Sequence, residues 1–121
     1  MTYNYFPKTK KELQKIIIEK LRENIEYPYL NDIDISEITD MSNLFSSNYD
    51  DYLAKNDIDS SKIIKLDLSW WDTSNVTNMR CMFYKCKSLK EINITAWNTS
   101  NVIDMSFMFS CCFILEKLDL S

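Results

Sequence analysis

The spacing of apolar residues changes along this chain, and each change predicts an element. Leu13, Ile16, Ile17 and Leu21 fall at helical spacing and make one face of an amphipathic helix. Thr9 stands before them as N-cap, with Glu12 three residues on as its capping-box partner. Lys8, Lys10, Lys11, Lys15 and Lys20 lie mostly off the apolar face. The helix is expected to fray near Asn24, and Tyr27-Pro28-Tyr29 ends it. Further on, Leu66 and Leu68 alternate with Asp67 and Ser69, the mark of a short strand with one buried face. A turn follows at Trp71-Asp72-Thr73-Ser74, with Thr73 or Ser74 placed to cap what comes next. There Val76, Met79, Met82, Phe83 and Cys86 return to spacings of three and four, which reads as one helical stripe.

The same run then recurs. Residues 66–91 and 92–117 are copies at an offset of 26, identical at ten positions. The second copy runs through Ile92, Ile94, Trp97, Val102, Met105, Met108, Phe109, Cys112 and Leu115, and a third begins at Leu118. A degenerate earlier copy matches at Ile33–Ser36, Ile38–Met41 and Phe45. A period between about 20 and 50 residues predicts a solenoid in which each unit covers the next. The expected fold is α/β: a short leucine-rich repeat solenoid, strand plus helix in each 26-residue repeat, with an N-terminal α-helical cap. The cap is assigned to residues 1–31 and the solenoid to 32–121. Within it lie a degenerate repeat (32–62) with an acidic surface insertion (46–62), full repeats at 63–91 and 92–117, and a final strand at 118–121. Tyr52-Leu53 is the one place in the insertion where a short turn is expected.

These residues resemble the BspA-like leucine-rich repeat family of bacteria, also catalogued as a domain of unknown function. Its text runs close to L-D-L-S-x-W/F-D-T-S-N-V-T-x-M-x-x-M-F-x-x-C-x-S-L. Leu66 to Leu89 matches nearly throughout, Ile92 to Leu115 with more drift, and Ile33 to Phe45 weakly. The resemblance implies a right-handed solenoid and, in many members, display on a bacterial surface for adhesion. Many members carry a glycine just before the M-F pair and another before the cysteine. Here Cys81 and Lys85 stand at those places in one copy, and Phe107 and Cys111 in the other.

Composition narrows the function. The net charge is −4 with no basic stripe, so neither nucleic acid nor an anionic membrane is an expected partner. The chain contains no glycine and no histidine. Glycine-rich phosphate loops are excluded, and the commonest general base and metal ligand are missing. No apolar run is long enough for membrane insertion, and the N-terminus has no stretch of signal-peptide type, which points to the cytoplasm. Cys86 and Cys112 share one place in successive copies, where a buried apolar residue belongs. The four cysteines are therefore read as reduced and mostly structural. Cys111-Cys112 has no neighbouring base to make a thiol catalyst, and Asp50, Asp51, Asp57 and Asp59 lack calcium-loop spacing. No catalytic, cofactor-binding or metal-binding residue is assigned, and no cofactor is expected.

What remains is a surface. Stacked strands would align Lys65, Glu91 and Lys117; Asp67, Asn93 and Asp119; and Ser69, Thr95 and Ser121. The alternating charges of the first column favour neighbouring strands. Trp71 and Trp97 recur in register, which favours packing. Trp70 does not recur, since Ala96 takes its place, and tryptophan is enriched at binding hot spots. Its rival fate is burial under the 46–62 insertion. The candidate partner contacts are Trp70, Lys65, Asp67, Ser69, Glu91, Asn93, Thr95, Lys117 and Asp119. The expected role is a non-enzymatic protein–protein interaction module with an unidentified protein partner. One alternative is a self-assembling element that dimerises through its C-terminal end. Another is a surface adhesin, if an export signal has been removed.

Overall fold

The computed structural model describes residues 2–119. Helix α1 (Lys10–Glu23) begins where its capping residues stand. The Thr9 hydroxyl accepts the Glu12 N–H at 3.2 Å, and the Glu12 carboxylate accepts the Lys8 N–H at 2.9 Å, so the entering chain is fixed from both sides. Asn24 closes the far end, its side chain accepting the Tyr27 N–H. Leu13, Ile17, Ile18 and Leu21 are buried and Ile16 half-buried. Lys20 departs from the expectation. It is buried, 2.9 Å from the Asp32 carboxylate, with the Tyr5 and Tyr29 rings at 4.8 and 5.5 Å.

Three strands form one parallel sheet in the order β1 (Lys65–Asp67), β2 (Glu91–Asn93), β3 (Lys117–Asp119). The register sets Lys65 beside Glu91 beside Lys117, and Leu66 beside Ile92 beside Leu118. Leu66 and Ile92 point into the core, as alternation requires. Leu120 and Ser121, which belong to the strand expected at 118–121, lie outside the described residues.

The strand-plus-helix solenoid is overturned. The described chain has one main helix and a short three-stranded parallel sheet, not a leucine-rich repeat solenoid, and no helix forms over 76–86 or 102–112. Two physical causes account for this. First, the two segments bond sideways to one another: the N–H groups of Met79, Cys81, Phe83 and Lys85 in the first donate to the carbonyls of Asp104, Ser106, Met108 and Ser110 in the second at 2.8–3.0 Å. Second, Cys81, Lys85, Phe107 and Cys111 adopt φ of 56 to 63°, a left-handed conformation no α-helix tolerates. The intervening N–H groups close single turns, Met82 on Met79, Tyr84 on Cys81 and Cys86 on Phe83. Turns that bond residue to third residue bury positions at spacings of three and four, the same signal a helix gives.

The side chains of those turns build the core. Phe45, Phe83 and Phe109 stack nearly parallel, with centroids 5.6 and 5.3 Å apart, and Trp71 and Trp97 flank them. Each such aromatic pair adds ~0.5–1.5 kcal/mol beyond burial. Side chains also fix the loops. Asp34, Asp67, Asp72, Asn93, Asn98 and Asp104 each accept the N–H two residues on, at 2.8–3.1 Å. These are Asx-turns. Asn75 and Asn101 donate to the Ser36 and Ser74 carbonyls, both at 2.7 Å.

The 46–62 stretch is not a mere surface excursion. It forms a one-turn helix, α2 (Tyr52–Lys55), that packs against α1, and it buries Leu53 and Ile58. Toward the C-terminus burial declines: Met105 is 42% exposed where its counterpart Met79 is fully buried. The N–H groups of Met105, Phe107, Phe109 and Cys111 have no acceptor among the described residues.

Candidate functional site

The polar face of the sheet brings most of the candidate contacts together. Lys65, Asp67, Glu91, Asn93 and Lys117 line a small depression of about 150 Å³. Lys65 and Glu91 approach to 3.7 Å, both about half exposed, so the pair adds little stability. Asp67 accepts both the N–H and the hydroxyl of Ser69, at 3.1 and 2.7 Å. Burial pushes the Asp67 pKa up, but the Ser69 and Asn31 hydrogen bonds and the Lys65 charge outweigh it and hold the carboxyl below its ordinary value. The Thr95 N–H donates to Asn93 at 3.1 Å, and Asp119 pairs with Asn93 in the β2–β3 register.

Trp70 stands just beyond β1 and is 45% exposed. Its N–H donates to the Asn31 side-chain oxygen at 3.1 Å, and its carbonyl accepts the Tyr3 hydroxyl at 2.8 Å. The Tyr3 ring meets the indole edge-on, 6.5 Å between centroids. The bracing thus comes from residues 3 and 31, and Trp70 is not buried under the 46–62 stretch. Because Ala96 follows where a second indole would stand, an open hollow of about 380 Å³ remains, lined by Ser69, Trp70, Trp71, Asp72 and Ala96. The recurring tryptophans behave differently. Trp71 is fully buried and Trp97 half-buried, their indole N–H groups donating to the Leu30 and Leu68 carbonyls at 2.9 and 3.1 Å.

Tyr3 and Asn31 belong to no recurring pattern, and no spacing rule links them to Trp70. The only hint was the aromatic lead-in at Tyr3, Tyr5 and Phe6. Asp72 was visible only as a turn residue.

All four cysteines are free. The Cys86 thiol donates to the Phe45 carbonyl and Cys112 to Phe83, at 3.2 and 3.1 Å. Burial pushes both pKa values up, and for Cys86 the neighbouring Cys112 adds to it. Both therefore stay thiols at neutral pH. Among the described residues no group of three or more His, Cys, Asp or Glu side chains is placed to hold a metal ion, and no helix is long and apolar enough to cross a membrane.

These features define a small α/β protein with an aromatic-stacked core and a braced, exposed tryptophan beside a parallel sheet. The chain belongs to the family described as "Mycoplasma protein of unknown function, DUF285", which matches residues 12–111. No curated protein and no solved structure matches it.

Proposed function

We propose that this chain is a non-enzymatic protein-interaction module that meets a protein partner through Trp70 and the adjoining sheet face. One observation carries the reading: Trp70 is exposed, yet two hydrogen bonds hold its main chain and the near-perpendicular Tyr3 ring packs on its indole. An indole fixed before binding loses little freedom on contact, and tryptophan dominates interface hot spots. We further propose kinship with the BspA-like proteins, on the L-D-L-S and D-T-S-N-V-T text at Leu66–Ser69 and Asp72–Thr77. The same proposal makes the protein cytoplasmic, with neither nucleic acid nor membrane as partner, in keeping with its charge of −4. A photo-reactive benzoyl-phenylalanine placed at position 70 in cells tests the role. A discrete protein adduct is expected there and none from position 49, where Tyr49 is also exposed. Equal or absent adducts at the two positions count against it.

A second reading, self-association through the C-terminal face, draws on the exposed Ile103, Met105, Phe107, Phe113 and Leu118. Apolar patches of this kind favour contact. A two-fold contact, however, sets the open N–H groups of Met105, Phe107, Phe109 and Cys111 against identical donors, which is why it ranks second. Sedimentation velocity over a hundredfold concentration range decides it, since a constant monomer value removes it.

A further inference from the structure

We propose that the hollow beside Trp70 receives a positively charged side chain, an arginine first of all, from the partner protein. The inference rests on the interaction role above and names the chemistry of that partner.

The shape comes from Trp70 and Ala96. The indole forms a wall, the small alanine leaves the space beside it open, and Ser69 and Asp72 line the rim. A planar guanidinium stacks on such a ring while its N–H groups reach flanking oxygens.

The charge comes from two carboxylates, Asp72 and Asp34. Asp72 lines the hollow itself. Asp67 lines the neighbouring depression on the sheet face, where the Lys65 charge offsets it. Asp34 and Asp72 both act on the Tyr3 hydroxyl that donates to the Trp70 carbonyl, its pKa pushed up by burial first and then by these two charges. The surroundings of Trp70 thus favour a cation.

The described cation–ring contacts all lie on other rings. Lys20 sits over Tyr5 and Tyr29, Arg80 over Phe107 and Lys85 over Tyr84. Among the described residues no cation lies over Trp70.

The test is an NMR titration of the full 121-residue chain with hexa-arginine, hexa-citrulline and choline as probes. Hexa-arginine is expected to shift the Trp70 indole N–H and the Ala96 amide saturably, while hexa-citrulline, equal in shape and uncharged, does not. Asp72→Asn keeps an oxygen for the Ser74 N–H but removes the charge. It and Trp70→Ala should each weaken binding roughly three- to fivefold. Binding that survives Trp70→Ala unchanged, shifts centred elsewhere, or equal binding of citrulline overturns the inference. Choline binding more tightly than hexa-arginine also overturns it, in favour of a small-molecule site. If position 70 gives a protein adduct while hexa-arginine leaves the indole unmoved, the basic partner is refuted and the interaction role stands. Hexa-arginine binding with no adduct at position 70 has the opposite meaning.

Discussion

Single residues carry unusual backbone demands in this protein. Cys81 and Lys85 hold φ of 56 and 60°, the left-handed region that favours glycine. A side chain with a Cβ costs ~1–2 kcal/mol there, while glycine adds ~0.4–1 kcal/mol of unfolded-state entropy to be lost. Cys81→Gly should therefore stabilise by about 0.5–1 kcal/mol in urea unfolding, whereas Cys81→Ala should not. The Asx-turn carboxylates set a pH limit. Asp40 and Asp67 are pushed up by burial, yet bonds from Ser42 and Ser69 and nearby lysines bring both below the ordinary 3.8; Ser106 does the same for exposed Asp104. The folded protein then binds fewer protons than the unfolded chain. Their stabilisation is present above about pH 4 and is lost as pH falls through the folded values. Thermal scans across that range should show Tm falling, and Ser69→Ala should flatten the slope.

At the scale of elements, α1 depends on a buried ion pair. Lys20 and Asp32 are both shielded from solvent, so Lys20→Ala leaves a buried carboxylate without its cation and should cost about 3 kcal/mol in chemical unfolding. A loss under 1 kcal/mol would show that water reaches Asp32. This pair was not legible in the sequence, because Lys20 lies between Ile17 and Leu21 at the margin of the stripe and its partner is twelve residues on. The helix itself was legible, since Thr9, Glu12 and the apolar spacing all agree. So were the strands at Leu66 and Ile92, where period-two alternation has one meaning. The segments from Val76 and Val102 were misread because their turns share the helix's spacing. The αL residues that rule out a helix are cysteine, lysine and phenylalanine, which carry no such signal. At the candidate surface, Trp70 stood out by failing to recur, but its braces, Tyr3 and Asn31, come from outside the copied text.

The whole molecule joins a rigid interior to one exposed aromatic group. Phe45, Phe83 and Phe109 stack through the core, and Trp70 takes no part in that stack. Its removal should cost folding about 1 kcal/mol, the Tyr3 edge contact, while weakening association by more, the separation expected of a contact residue. The decisive measurement is the calorimetric affinity of the protein cross-linked at position 70 for Trp70→Ala beside the parent chain. The account predicts at least a tenfold loss, about 1.4 kcal/mol, with the thermal midpoint lowered by only a few degrees and the variant fully folded at the assay temperature. Equal affinity, or a loss that merely tracks unfolding of the variant, would contradict it.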